Sequence, residues 1–196
     1  MNEPRPTFVA AWLLAVAACL SGLGAYSWQP GQPSDVADEL PSGVPVELGP
    51  RGALVIFVHP HCPCSLASLE EVARILRDST DAPQIELFAF IPRSEEEGWV
   101  DGRIWRRAAE LGEIRRRLDR AGDLARELGV TTSGHVIAYG PDGARRFDGG
   151  VTAGRGHLGP SAPGARLMQV LAGGEPAPEA FPVFGCGLAG PGASGE

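Results

Sequence analysis

Two cysteines, Cys62 and Cys64, are separated by a single residue in the sequence His-Pro-His-Cys-Pro-Cys-Ser at residues 59–65. The run 53–58 before it is apolar and rich in β-branched residues, which predicts a buried strand, and a helical apolar pattern follows it. A cysteine in the first turn of a helix lies beside unpaired backbone N–H groups and the positive end of the helix dipole, which favour the thiolate. Because a thiolate is both a nucleophile and a soft metal ligand, the segment predicts redox or metal chemistry.

The first hypothesis is thiol–disulfide exchange without a cofactor, acting on protein or small-molecule thiols and disulfides. Cys62 would attack, and a second thiol would resolve the mixed disulfide. Cys64 is the first candidate for that thiol, although a Cys-x-Cys disulfide closes a small ring, and strain makes such a bond easier to reduce. Cys186 is the alternative, because the Pro/Gly-rich tail around it keeps apolar residues at 181–184, which predicts that the tail docks over the site.

The second hypothesis is a Cu(I)-binding metallochaperone, with copper held by soft thiolates and imidazoles. Its candidate metal ligands are Cys62, Cys64, His59, His61 and His135. A closed zinc site is not predicted, because it requires two well-separated pairs of ligands and the sequence shows one pair.

Two further features are candidates for parts of the site. His135 begins a predicted strand, where it is either a catalytic residue or a half-buried structural histidine. The loop 149–164 is too long for a simple connector. Its Arg155 and His157 are candidates for a cationic rim around the thiolate, and equally for a solvated loop.

Charge and cysteine count restrict the function classes. The formal net charge of −7 argues against a nucleic-acid partner, because phosphate contacts require a basic face. The sequence has 4 cysteines, of which Cys19 lies in the N-terminal apolar run. The three that remain cannot all pair with each other, so the chain is not a disulfide-stapled scaffold.

The N-terminal segment predicts attachment to a membrane. Residues 8–26 carry no charge and approach the length of about 20 residues that spans a bilayer as a helix. Arg5 precedes the run and acidic residues follow it, so we expect a single-pass anchor with the domain facing the periplasm or cell exterior. Two alternatives use the same residues: a cleaved signal peptide, or a lipoprotein in which Cys19 of the lipobox-like run 16–19 is lipidated.

The chain divides into four parts by composition. Residues 1–28 form the anchor or signal segment, 29–50 a flexible Pro/Gly/Ser-rich linker, 51–173 the domain, and 174–196 the tail that carries Cys186. The pattern of the domain predicts strand, helix and strand first, then a helical middle, a β-hairpin and a final helix. The predicted elements after the first helix are a strand at 84–90, a helix at 102–111, an ambiguous strand or helix at 114–118, a helix at 122–128, hairpin strands at 135–139 and 144–148, and a helix at 166–171.

This order of elements resembles the thioredoxin-fold superfamily. More narrowly, the sequence resembles a family of membrane-anchored bacterial thioredoxin-like proteins of RedB type, through four motifs at residues 59–65, 132–135, 149–157 and 182–186. The resemblance covers residues 53–188 and implies an α/β thioredoxin-like domain, made of a βαβ unit, a β-hairpin and a C-terminal helix, behind an N-terminal transmembrane or signal helix.

Two positions depart from ordinary thioredoxins. Ser65 occupies the place that the resemblance assigns to the second cysteine of Cys-x-x-Cys, and Gly134 occupies the place of the proline before the fourth strand. These departures keep open a third hypothesis, a thioredoxin-fold binding module without catalysis.

Overall fold

A five-stranded sheet organises the domain. The computed structural model describes residues 6–77, 82–177 and 179–188. The strands lie in the order β3-β2-β1-β4-β5, with β1, β2 and β3 parallel and the β4–β5 hairpin antiparallel. Their bounds are β1 Ala53–Val58, β2 Gln84–Ile91, β3 Ile114–Arg120, β4 His135–Tyr139 and β5 Arg145–Gly149.

The central strand is the most apolar one. All six residues of β1 are buried, and β1 pairs with β2 on one side and β4 on the other. A continuous apolar run suits such a strand, because both of its faces are covered. The predicted strand at 53–58 is confirmed at the same bounds.

Helices cover one face of the sheet. Helices α2 (Pro63–Arg77), α3 (Arg103–Glu110) and α5 (Ala162–Leu171) bury apolar side chains against it. Helix α4 (Asp123–Glu127) and residues 36–46 cover the opposite face. This arrangement is the predicted thioredoxin-like α/β fold. Helix α5 begins earlier than expected because Ser161 caps it, its Oγ accepting the Gly164 N–H at 2.9 Å.

Strand β3 settles the ambiguous stretch at 114–118. It carries three consecutive arginines at 115–117, of which Arg115 and Arg117 form ion pairs with the fully buried Glu86 of β2 and with Glu47. An edge strand tolerates such side chains because one of its sides faces solvent. Two of these arginines therefore pair with a buried carboxylate on the neighbouring strand.

The segment 29–50, expected as a flexible linker, lies against the domain instead. Val36 and Val44 are buried in the core on the α4 face. The Asp35 N–H donates to the Gly129 carbonyl and the Leu40 N–H to the Gly143 carbonyl, each at 2.9 Å. The expectation of a flexible linker is therefore corrected. The segment is held by isolated apolar and backbone contacts, and such contacts leave no periodic pattern in the sequence.

Helix α1 (Pro6–Ser27) is the element outside the domain. Its stretch Thr7–Ser27 has a mean hydropathy of 2.1 and none of it is buried. By length and composition it is the one helix among the described residues that is able to cross a membrane, and a signal sequence has the same properties. The side of the membrane on which the domain lies stays a prediction.

Candidate active site

Cys62 lies between β1 and α2, directly before the first residue of α2. Its N–H donates to the His59 carbonyl at 3.0 Å, and its own carbonyl accepts the Ser65 N–H at 3.1 Å. These turn contacts place the sulfur at the N-terminus of α2, as the sequence predicts. Only 1% of Cys62 is exposed to solvent.

What covers Cys62 is the C-terminal cap, residues 181–188. The Ser133 N–H donates to the Cys186 carbonyl at 2.8 Å, and the Leu188 N–H donates to the Thr131 carbonyl at 2.9 Å. Gly187 forms an antiparallel bridge with the residue between them, Thr132. The apolar residues of the tail do dock over the site, as predicted, and Val183 and Phe184 are buried.

Glycines make this docking possible. A Cβ on Gly150 would lie 2.6 Å from the Pro182 carbonyl oxygen, and one on Gly149 or Gly185 would overlap backbone atoms of Phe181 or Ser133. Real side chains do not approach a backbone so closely. The cap therefore contacts the domain through backbone at three glycine positions.

Cys186 is the residue of the cap that meets Cys62. Its backbone N–H donates to Cys62 Sγ at 3.3 Å, and its thiol also hydrogen-bonds to Cys62. The Cys186 residue is exposed, whereas Cys62 is buried beneath it. Two thiols thus lie together, one on a buried residue and one on an exposed residue.

The three thiols of the site differ in acidity. Burial raises the pKa of Cys62, but hydrogen bonds from Cys186 and Ser65 outweigh it, so the pKa lies below that of an ordinary thiol. Partial burial and the neighbouring Cys62 raise the pKa of Cys186 to about 12. Burial, followed by the charge of Cys62, raises the pKa of Cys64. Cys62 is therefore the thiol that ionises first.

Ser65 and Ser133 tie the base of the site together. Their hydroxyl groups hydrogen-bond to each other, and the His59 N–H donates to Ser133 Oγ at 2.6 Å. Both serines are completely buried. Sequence reasoning missed Ser133, although it lies inside the motif at 132–135.

Gly134 explains one departure from ordinary thioredoxins. Its φ is +90°, a left-handed backbone conformation that residues other than glycine rarely adopt. Its N–H donates to the Phe57 carbonyl at 2.7 Å, and a Cβ here would lie 2.6 Å from Ser68 Oγ. Glycine lets this loop pass close to α2 beside the cysteines.

Arg155 lies beside the thiols, in agreement with its interpretation as part of a cationic rim. Its guanidinium donates to the Gly185 carbonyl at 2.7 Å and to the Gln29 carbonyl at 3.1 Å, and it stacks 4.8 Å from the Tyr26 ring. It also hydrogen-bonds to Cys64, which opposes the rise in the pKa of that thiol. His157, the other candidate in this loop, is exposed.

The two histidines before Cys62 belong to an aromatic cluster. The His59 ring stacks on Phe90 with centroids 5.3 Å apart, and the His61 ring meets the Trp99 ring edge-on at 4.4 Å. Burial, and then the neighbouring His61, lower the pKa of His59. Within the described ranges, no group of three or more His, Cys, Asp or Glu residues is arranged to hold a metal ion.

His135 lies on the α4 side of the sheet, since it pairs with Phe57, which belongs to the core of that face. Its Nε2 hydrogen-bonds to Asp148 Oδ1 at 2.5 Å and its Nδ1 to Ser34 Oγ at 3.2 Å. Arg145 holds the second oxygen of Asp148 at 2.8 Å. The structure thus brings Cys62, Cys64 and Cys186 together and places His135 in a separate buried network.

Comparison with known proteins supports the fold. No family model and no curated protein matches the sequence. An uncharacterised conserved protein from Geobacillus kaustophilus aligns at TM-score 0.59 and 15% identity, over 84% of this chain and 94% of that one. A hypothetical protein from Sinorhizobium meliloti 1021 aligns at TM-score 0.51 and 18% identity, over 71% of this chain and 80% of that one.

A third solved structure is a secreted Mycobacterium tuberculosis disulfide oxidoreductase, described as homologous to E. coli DsbE. It aligns at TM-score 0.42 and 12% identity, over 62% of this chain and 80% of that one. This similarity is too weak to support an inference about chemistry.

Proposed function

We propose that the chain is a membrane-tethered thiol–disulfide oxidoreductase outside the cytoplasm, with Cys62 as its redox-active cysteine. The observation that carries the proposal is the Cys186 N–H donating to Cys62 Sγ at 3.3 Å, at the N-terminus of a helix of 15 residues. A thiolate held beside a second thiol is the arrangement that disulfide exchange requires. The proposal needs no bound cofactor.

Cys186 is the thiol that we propose as the disulfide partner of Cys62. The two thiols already hydrogen-bond and the Cys186 N–H lies 3.3 Å from Cys62 Sγ, so the two cysteines are neighbours in the reduced protein. Cys64 is the less favourable partner, because a bond between residues 62 and 64 closes a small strained ring within the start of α2. Cys64 then remains beside the pair as a third thiol, held by Arg155.

Attachment to the membrane and membership of the RedB-type family belong to the same proposal. Helix α1 has the length and hydropathy of a membrane span. The four family motifs gather at one place: residues 59–65 carry Cys62, 132–135 and 182–186 pair beside it, and 149–157 carries Arg155. The natural partners are proteins or small molecules that carry thiols or disulfides.

The test uses the full chain in lipid nanodiscs, purified without chelators. After mild oxidation, peptide mapping under non-reducing conditions is expected to find a Cys62–Cys186 disulfide that dithiols reduce reversibly. Cys62→Ser and Cys186→Ser are expected to abolish the couple, whereas Cys64→Ser and the control Cys19→Ser retain it.

Other outcomes would decide for the alternatives. Stoichiometric copper that is lost in both Cys62→Ser and Cys64→Ser would support the metallochaperone hypothesis. Thiols that neither form a reversible disulfide nor bind metal would support a binding module, and the proposal would then be wrong.

A further inference from the structure

The two cysteines of the proposed disulfide differ in their exposure to solvent. Cys62 lies 1% exposed beneath the C-terminal cap, and Cys186 is exposed on that cap. A disulfide between them ties the cap to the domain at the same place, so Cys62 Sγ stays covered. An incoming thiolate then reaches the bond at Cys186 Sγ.

The surroundings of Cys62 suit a leaving group. When the disulfide opens, Cys62 Sγ receives hydrogen bonds from the Cys186 N–H and from Ser65. These two donors oppose the burial that raises the pKa of Cys62, and a thiol of lower pKa leaves a disulfide faster. Breaking the bond from the Cys186 side therefore releases a thiolate that these hydrogen bonds stabilise.

Arg155 supplies a positive charge on the side of the attack. Its guanidinium hydrogen-bonds to the Gly185 carbonyl, one residue before Cys186, and acts on both Cys64 and Cys186. A cation beside Cys186 Sγ attracts a thiolate that approaches from solvent.

We propose that the Cys62–Cys186 disulfide accepts electrons from substrate dithiols, which attack Cys186 Sγ and displace the Cys62 thiolate. This inference rests on the proposed function and assigns its direction and its substrate class. In the first step the S–S bond breaks, Cys186 becomes disulfide-bonded to the substrate, and Cys62 takes the electron pair. In the second step the other substrate thiolate attacks the mixed disulfide, forms the substrate disulfide and releases Cys186, which takes up a proton.

Reoxidation requires a disulfide-bearing partner that is a stronger oxidant. Its disulfide receives the two electrons and leaves as two thiols, while the Cys62–Cys186 bond reforms with loss of the thiol protons.

The direction follows from which form of the pair is stabilised. The hydrogen bonds to Cys62 Sγ stabilise the reduced form through its thiolate, and a disulfide whose reduced form is stabilised is the stronger oxidant. Acceptance of electrons from substrate dithiols is therefore favoured over reduction of substrate disulfides.

The experiment maps the attacked sulfur. The full chain carrying Cys19→Ser and Cys64→Ser is oxidised in nanodiscs, and peptide mapping verifies the Cys62–Cys186 bond before the reaction begins. N-acetylcysteine is then added, the reaction is quenched with acid, and the free thiol is alkylated after unfolding. We expect the adduct on Cys186 and the alkyl group on Cys62 in about tenfold excess over the reverse.

A matched variant tests whether burial of Cys62 sets this preference. Gly150→Ala places a Cβ against the Pro182 carbonyl and loosens the cap, whereas Gly98→Ala adds a Cβ with no atom within 4 Å. We expect the preference to shrink toward equality in Gly150→Ala and to persist in Gly98→Ala.

The outcomes separate this inference from the proposed function. If no Cys62–Cys186 bond forms on oxidation, the proposed function fails. If the bond forms but the adduct lies mainly on Cys62, the assigned direction of attack is wrong while the redox pair stands. If the adduct lies on Cys186 but the preference is unchanged in Gly150→Ala, the inference that burial of Cys62 beneath the cap directs the attack is wrong.

Discussion

The acidity of Cys62 depends on a few hydrogen bonds that oppose its burial. Removing a thiolate from water disfavours the charged form, so a buried cysteine without donors would be a weak acid. Here the Cys186 N–H, the Cys186 thiol and Ser65 all donate to its sulfur. The chemistry of this cysteine is therefore set by side chains and backbone from two distant parts of the chain.

Replacing Ser65 tests this balance. Ser65→Ala removes a hydroxyl donor, and a hydrogen bond to a charged group contributes about 1.5–3 kcal/mol, so the pKa of Cys62 is expected to rise by about one to two units. At a fixed neutral pH the variant holds less thiolate, and its titration midpoint lies at higher pH. Ultraviolet absorbance of the thiolate against pH measures this in the full chain.

Ser68→Ala is the matched control for that titration. Ser68 is buried on the same helix, where its Oγ lies against Gly134. Its replacement is expected to leave the Cys62 midpoint in place. A midpoint that moves equally in both variants would mean that general repacking of α2, not the Ser65 donor, sets the acidity.

His135 provides a second test at the scale of single residues. His135→Leu removes one hydrogen-bond partner of the buried Asp148 and leaves Arg145 in place, and losing a partner of a buried polar group costs about 1–3 kcal/mol of unfolding free energy. Because His135 lies on the α4 side of the sheet, the midpoint potential of the cysteines is expected to stay within experimental scatter. Urea unfolding and a redox titration of the same variant measure the two quantities.

The exposed His157 serves as the control, since His157→Leu is expected to change neither quantity. A potential that shifts in His135→Leu but not in His157→Leu would support the catalytic interpretation of His135.

At the scale of elements, the C-terminal cap completes the site, because it brings Cys186 to Cys62. It contributes one strand-like contact along residues 131–133 and a second along Gly149 and Gly150. Both contacts use backbone atoms, so they depend on the absence of side chains at glycine positions. The loop 149–164 and the tail are therefore one structural unit, although they lie far apart in sequence.

Gly150→Ala is expected to expose Cys62. The overlap with the Pro182 carbonyl costs about 1–3 kcal/mol, which displaces the cap and raises the alkylation rate of Cys62 by about tenfold. Iodoacetamide labelling of the reduced chain, read by mass spectrometry of the Cys62 peptide, measures the rate. Gly98→Ala is the control with open space around its Cβ, and equal rates in the two variants would contradict a cap held by close backbone contact.

Some of these elements could be predicted from the sequence and others could not. Strand β1 and helix α2 follow from an apolar run and a helical period, and the docked tail follows from apolar residues in a Pro/Gly-rich stretch. Strand β3 was ambiguous because its arginines hide the alternation, and the partner that explains them, Glu86, lies on another strand. The segment 29–50 looked like a spacer because Val36 and Val44 make isolated contacts without a period.

At the scale of the whole molecule, Arg155 joins helix α1 to the cysteines. Its backbone N–H donates to the carbonyl of Ser27, the last residue of α1, and its side chain contacts Tyr26, Gln29 and Gly185. Patterns along the sequence do not predict such a link, because it joins three segments through one side chain. It places the site beside the end of the helix that is proposed to enter the bilayer.

Removing that side chain is expected to loosen both ends of the link at once. In Arg155→Ala the Gly185 and Gln29 carbonyls lose their donor, so hydrogen exchange in nanodiscs is expected to rise by about tenfold at residues 27–31 and at 185–188 together. The pKa of Cys64 is expected to rise further, because Arg155 opposes its increase, and the pH profile of Cys64 alkylation measures this. Arg103→Ala, on the exposed face of α3, is the control. If exchange rises at the cap while residues 27–31 remain protected, Arg155 does not hold the two segments together, and helix α1 is not coupled to the cysteines through this side chain.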